Sequence, residues 1–238
     1  MDNAGYVALS RQSGLMTEMQ AVAHNLANMS TTGYRKEGVI FSEYVKALDG
    51  AEPSLSMATA NTRNLDLSQG PLTQTGGLFD YAIQGDGFFK VETPNGERLT
   101  RAGSFTPNAE GELVTPDGFR LLDGGGSPVF VPPDARAITL GKDGTFSADG
   151  RPLTQIGLWQ PIDPIDLAHE SGVFFSAAKG SEPLENATIL QGFVEDSNVD
   201  PITEIARMIE VQRAYEMGQT FLDREDQRIR GVIQTLGR

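Results

Sequence analysis

The sequence predicts an α+β protein: long N- and C-terminal helices forming a coiled-coil layer, and between them a central all-β region, sandwich- or barrel-like. Two observations predict the helices and one the sheet. Leu15, Met19, Val22, Leu26 and Met29 follow one another at alternating steps of 4 and 3, the 3.5-residue beat of a helix packed on another helix. The far end repeats the beat at Ile205, Met208, Gln212, Tyr215, Gln219, Leu222, Asp226, Ile229, Ile233 and Leu236. The interval 34–190 holds 20 of the 27 glycines and 12 of the 13 prolines, which rules out a helical core there.

Asn3 is placed to cap a helix running to about Asn28, and Ser30-Thr31-Thr32-Gly33 stops it. Gly14 in its interior costs about 1 kcal/mol against alanine, so this helix is not built to stand alone. The second helix opens at Ser197-Asn198-Val199-Asp200-Pro201, an acidic N-cap before a first-turn proline. From there to Leu236 it makes a rod of about 54 Å. Gln212, Gln219 and Asp226 recur seven apart on its stripe, the placement that fixes register and partner number in helix assemblies. Gly218 and Gly231 would let another backbone approach closely.

Between the helices, residues 34–78 read as an extended linker or loop region. Phe41, Tyr44 and Val45 mark a helical or extended piece, and the Ser/Thr/Asn/Ala stretch from Pro53 to Asn64 an exposed loop. From Tyr81 onward the period changes to 2. Strands are expected at 88–92, 98–101, 112–115, 119–122, 129–131, 138–140, 145–147, 154–159 and 188–191. Asn95-Gly96, Asp117-Gly118, Asp143-Gly144 and Asp149-Gly150 supply the positive φ of tight hairpins. The expected organisation is therefore 1–33 an assembly helix, 34–78 a linker, 79–190 a β domain and 191–238 a second assembly helix.

Composition narrows the function. Asp and Glu outnumber Lys and Arg by 32 to 19, for a net charge of -13, so no nucleic-acid partner and no insertion into anionic membrane is expected. There is no cysteine, hence no disulfide framework or thiolate site. The start Met1-Asp2-Asn3 has no basic n-region, and no cleaved secretion signal is expected.

Catalytic motifs are incomplete. Gly85-Asp86-Gly87-Phe88-Phe89-Lys90 begins a phosphate fingerprint but lacks its third glycine and a following helix, and reads as a turn. The Asp-Gly pairs at 143 and 149 lack the glycine at the sixth position and the Glu at the twelfth that a calcium loop needs. His24 and His169 are the two histidines, and no G-x-S-x-G elbow accompanies them. Wall hydrolysis would need a positioned acid in an aromatic-lined cleft, yet no acid is marked out near Trp159, the single tryptophan. No catalytic residue, cofactor or metal is expected. Assembly explains the polar members of the terminal stripes better than simple packing does. An acidic β-rich binding module with a helical oligomerisation tail is the rival from another class, and polymerisation separates the two.

His24-Asn25-Leu26-Ala27-Asn28-Met29-Ser30-Thr31-Thr32-Gly33-Tyr34-Arg35 resembles the N-N-L-A-N-x-x-T-x-G-[FY]-[KR] signature of the bacterial flagellar rod and hook family, with His24 where asparagine is usual. The runs 80–89, 100–105 and 111–114 resemble the family's β-domain motifs, and 191–199 with 208–216 its C-terminal signature. Phe193-Val194 replaces a commoner small or leucine pair. The short length and compact middle are most similar to the proximal rod member, with the distal rod member as the alternative. The resemblance implies a non-catalytic subunit of the basal-body rod, which spans the periplasm and transmits torque. It also implies export through the flagellar type III apparatus, terminal helices layered around a channel, and partners among copies of itself and the proximal and distal rod proteins. The assembly face it implies comprises Leu15, Met19, Val22, Asn25, Leu26, Asn28 and Met29 with Ile205, Met208, Gln212, Tyr215, Gln219, Leu222, Ile229, Ile233 and Leu236. Gly33 and Tyr34 would form the helix stop and linker.

Overall fold

The computed structural model describes the backbone of residues 3–46, 55–184 and 188–236, and their side chains apart from residues 3–4, 43–46, 55–59 and 61–63. The chain divides into two units, one comprising Met1–Ala27, Lys36–Asp66 and Val199–Arg238, the other Asn28–Arg35 and Leu67–Asn198. It is α+β: two helices lie in the first unit, and several β-sheets in the second.

In the first unit, helix α1 (Asn3–Ala27) and helix α2 (Pro201–Leu236) are joined by a ribbon of β1 (Glu37–Lys46) and β2 (Leu55–Leu65). This corrects the reading of Pro53–Asn64 as a loop, since its described part is strand. β1 and β2 pair antiparallel from Glu37↔Leu65 to Lys46↔Leu55, with a bulge between Ile40 and Phe41. The ribbon lies on α1. Gly14 makes room for it: a Cβ there would stand 2.6 Å from the edge of the Phe41 ring. α2 begins where its cap predicts. The Asp200 carboxylate accepts from the Ile202 N–H at 2.9 Å and from the Thr203 hydroxyl at 3.0 Å, with proline following at the first helical position.

The second unit holds β3 (Leu72–Gln74), β4 (Tyr81–Gln84), β5 (Phe89–Thr93), β6 (Gly96–Thr100), β7 (Thr106–Pro107), β8 (Leu113–Val114) and β9 (Arg120–Leu121). β10 (Ile138–Leu140), β11 (Thr145–Ala148), β12 (Arg151–Gln155) and β13 (Trp159–Pro161) follow. β14 (Leu167–Ser171), β15 (Phe174–Ala177), β16 (Ser181–Pro183), β17 (Thr188–Gln191) and β18 (Phe193–Glu195) complete it. The largest sheet has the order β14-β15-β6-β5-β9-β8-β7, open at both edges among the described residues. Beside it stand a three-stranded meander β10-β11-β12 and the pairs β13-β16, β17-β4 and β18-β3. Its core gathers Tyr81, Ile83, Phe89, Val91, Leu113, Leu121, Phe146, Phe175 and Ile189, all buried. Phe89 and Phe105 meet edge to face with centroids 5.6 Å apart.

The β11–β12 hairpin forms as its turn residues require. Ala148 pairs with Arg151, and the two residues between, Asp149 and Gly150, both take positive φ, at 49° and 77°. The expected strand at 129–131 is reduced to single bridges, Glu112↔Phe130 and Leu122↔Pro128, because Pro128 and Pro132 bracket it and cannot donate to a ladder. His169 lies on β14 and opposes Phe175 on β15.

Candidate assembly face of the terminal helices

α1 and α2 run antiparallel, and polar side chains set their register. The Gln12 amide donates to the Tyr215 carbonyl at 3.2 Å, Arg207 Nε donates to Glu18 Oε1 at 2.6 Å, and the Asn25 amide donates to Glu204 Oε2 at 3.0 Å. Asn25 also grips the ribbon. Its Nδ2 donates to the Glu37 carbonyl at 2.8 Å, and its Oδ1 accepts the Glu37 N–H at 2.9 Å. Lys36 Nζ stands 2.6 Å from Glu204 Oε1, so the buried Glu204 carboxylate has a cation on one oxygen and an amide on the other. A buried carboxylate needs such partners, since alone it would lose far more solvation than burial returns.

The more enclosed side of α2 comprises Glu204, Met208, Val211, Tyr215, Gly218, Leu222 and Glu225, a run of alternating 4 and 3 steps. It shares Met208, Tyr215 and Leu222 with the stripe read from sequence. It replaces Ile205, Gln212, Gln219 and Asp226 by the residue before each. Those four are exposed, and the Gln212 amide turns aside to the Glu216 carboxylate at 3.1 Å. The displacement follows from the approach of α1. Gly218 lets the Gln12 amide approach so closely that a Cβ would stand 2.9 Å from its nitrogen.

Among the α1 residues of the expected face, Leu15, Val22 and Asn25 are buried within this chain, Met19 and Leu26 are half-buried, and Asn28 and Met29 belong to the other unit. On α2, Ile205, Ile229, Ile233 and Leu236 are exposed, the last by 82%. Exposed Ile202, Ile209, Met217, Phe221 and Val232 join them, apolar positions absent from the sequence-derived face. In the whole 36-residue helix only Glu204 and Val211 are buried.

The helix stop differs from its expected form. α1 ends at Ala27, and a turn closed by Thr31 N–H to Asn28 O and Tyr34 N–H to Thr31 O separates it from Gly33. Gly33 takes φ 72° inside the second unit, where its N–H donates to the Glu195 carbonyl at 2.7 Å. A Cβ on it would meet the Ala102 backbone nitrogen at 2.2 Å. Close backbone approach is therefore what requires glycine here. Tyr34, expected in the linker, is buried and meets His169 edge to face at 5.8 Å.

Next to it lies a charge cluster that sequence reasoning missed. Arg35, Arg101 and Glu195 are fully buried, with Arg35 Nη1 at 2.7 Å from Glu195 Oε1 and Arg101 Nε at 3.2 Å from Oε2. The Gly70 N–H donates to Oε1 at 2.9 Å. Carbonyls take further guanidinium protons: Ser68 from Arg35 and Gly85 from Arg101, both at 2.6 Å. Burial pulls the Arg101 pKa down to about 10, Glu195 opposing the fall and Arg35 adding to it. Two cations and one anion drawn from three distant segments make a structural clamp.

Trp159 stacks under Lys90, whose ammonium lies 3.3 Å from the ring centroid and 2.9 Å from the Glu97 carboxylate. Among the described residues no group of three metal-ligating side chains comes together, and no helix is long and apolar enough to cross a membrane.

Residues 6–35 match the family model of the flagella basal body rod protein, 82–148 that of the flagellar hook protein FlgE/F/G D1 domain, and 190–235 that of the flagellar basal body rod FlgEFG protein C-terminal region. Helical ends and a sheet-rich middle, each matched in order, define the class of flagellar axial proteins. The chain is 41% identical to the flagellar basal-body rod protein FlgF of Caulobacter vibrioides and 36% to that of Mesorhizobium japonicum, in each case over 100% of this chain and 99% of the relative. It is 29% identical to the rod protein FlgG of Bacillus subtilis over 96% of this chain and 97% of that one. The chain belongs to the flagellar basal-body rod protein family, on the side of its FlgF members.

Proposed function

We propose that this structural rod subunit joins the flagellar basal body through the exposed side of α2, the terminal helices of successive subunits packing as a coiled-coil layer. The observation that carries the reading is the bareness of α2. Its exposed residues include Ile202, Ile205, Ile209, Met217, Phe221, Ile229 and Ile233, side chains that a finished surface helix would turn inward. Packing between helices is the usual use of such a face. Copies of this chain and other rod proteins are the partners it suits. Transmission of torque, passage through the flagellar type III apparatus and the lack of catalysis go with the same reading. Their support is the family to which the chain belongs.

Sedimentation of the full chain at rising concentration tests this. Oligomers are expected, and replacing Ile205 and Ile209 together by serine is expected to return the chain to monomer with its helix content unchanged. Undiminished association of the double variant would move the contact elsewhere.

A further inference from the structure

We infer that a cavity in the second unit takes up a small α-amino acid, with its carboxylate on Arg35 and Arg101 and its ammonium group toward Asp86. This goes beyond the assembly reading and does not depend on it. The cavity has a volume of about 210 Å³ and lies beside β13 and the Gly87-Phe88 segment that leads into β5, with all of its walls in this one unit. Arg35 and Arg101 line it, 1% and 2% exposed. Glu195 does not satisfy them completely. Arg35 commits Nη1 to Glu195 and the Ser68 carbonyl, and Arg101 commits Nη2 to the Gly85 carbonyl. Arg35 Nε and Arg101 Nη1, both buried, have no hydrogen-bond partner among the described residues. A buried donor without an acceptor is costly, and more so on a charged group. Two cations facing one carboxylate also leave the cluster one positive charge in excess. A carboxylate in the cavity would supply both the acceptors and the charge.

The remaining walls say what else the occupant carries. Asp86 is exposed on the same cavity and enters no ion pair among the described residues. Its charge still reaches the site: burial lowers the Arg101 pKa, and Asp86 joins Glu195 in opposing that fall. A bare anion would be drawn by the guanidinium groups and repelled by Asp86, whereas a zwitterion answers both. Phe88 and Pro161, both buried, and the more open Pro164 give an apolar wall suited to an aliphatic side chain. The volume is below the roughly 300–1,000 Å³ of sites that hold drug-sized ligands, so the occupant is small.

Isothermal titration calorimetry of the full chain with alanine, valine and leucine tests the site. At least one of them is expected to bind. Its amide, which lacks the carboxylate, and the matching acid without an amino group are each expected to bind about tenfold more weakly, since each loses one set of charge-assisted hydrogen bonds. Asp86→Asn changes an exposed side chain and is expected to leave the fold intact. In that variant the amino acid should bind about tenfold more weakly, while the acid without an amino group binds as well as before or better, a reversal that a folding defect would not produce. No binding of any of the three amino acids at up to about 10 mM would overturn the proposal. So would equal binding of the acid that lacks the amino group, or an Asp86→Asn protein that binds the amino acid as the parent does.

Discussion

Asn25 and Glu204, 179 positions apart, meet at 3.0 Å, and through this contact one amide ties α1, α2 and the β1 strand together. Asn25 is 1% exposed. Replacing it with alanine leaves the Glu37 peptide and the Glu204 carboxylate short of buried partners, each a loss of about 1–3 kcal/mol. Asn25→Ala is therefore expected to lower the melting temperature of the helical signal by many degrees. A melt within one or two degrees of the parent would show that water replaces the amide without cost.

Gly33 supports a second expectation. Gly33→Val sets a β-branched residue at positive φ, a strain of about 1–2 kcal/mol before the clash with the Ala102 backbone is counted. The loss falls on the second unit, which Trp159, the single tryptophan, reports by fluorescence. Unfolding followed at Trp159 is expected at markedly lower denaturant. An unmoved Trp159 transition would contradict the packing of Gly33 on residues 101 and 102.

The Arg35–Glu195–Arg101 cluster gives a third. Glu195→Gln keeps the shape and removes the carboxylate that both buried guanidinium groups meet, a change that costs about 3–5 kcal/mol when a buried charge loses its partner. Chemical denaturation of the variant is expected to show that loss, and restoration of the parent midpoint by an added Arg101→Met change would assign it to the unpaired charge. Parent-like stability of Glu195→Gln alone would contradict the clamp.

The capping carboxylate of α2 gives the pH dependence. Hydrogen bonds from the Thr203 hydroxyl and the Ile202 and Thr203 N–H groups, with Lys36 assisting, hold the Asp200 pKa below the usual carboxylate range. A depressed acid contributes stability above its unfolded pKa and loses it as pH falls through the folded one. Protection factors of the amides of residues 202–204 are accordingly expected to fall below about pH 4, the unfolded value for Asp. Asp200→Asn, which caps without titrating, should remove that acid dependence; its persistence in the variant would assign the effect to another acid.

α2 is readable in the sequence because local signals suffice: an acid cap, a first-turn proline and a long run without interruption. The side of α2 that meets α1 is not. Met208, Tyr215 and Leu222 fit both stripes, and the choice between flanks is made by Gln12, Glu18 and Asn25, remote residues whose reach no local period records. β1 and β2 escape notice for a related reason. Their Ser, Thr, Asn and Ala residues show no clean alternation, and backbone pairing with α1 beneath holds the ribbon. Arg35, Arg101 and Glu195 each look like surface charges in sequence; only folding makes them a buried set.

Assembly by way of α2 is tested most directly in intact basal bodies purified from cells in which the chromosomal copy carries Ile205→Ser, Ile229→Ser and Ile233→Ser. Mass spectrometry of those particles should find the unsubstituted chain in the rod and the triple variant absent or greatly depleted, although the variant protein remains folded and present in the cell. Rods that contain the triple variant at the parent amount, in cells that swim normally, would contradict a rod contact made by the exposed side of this helix.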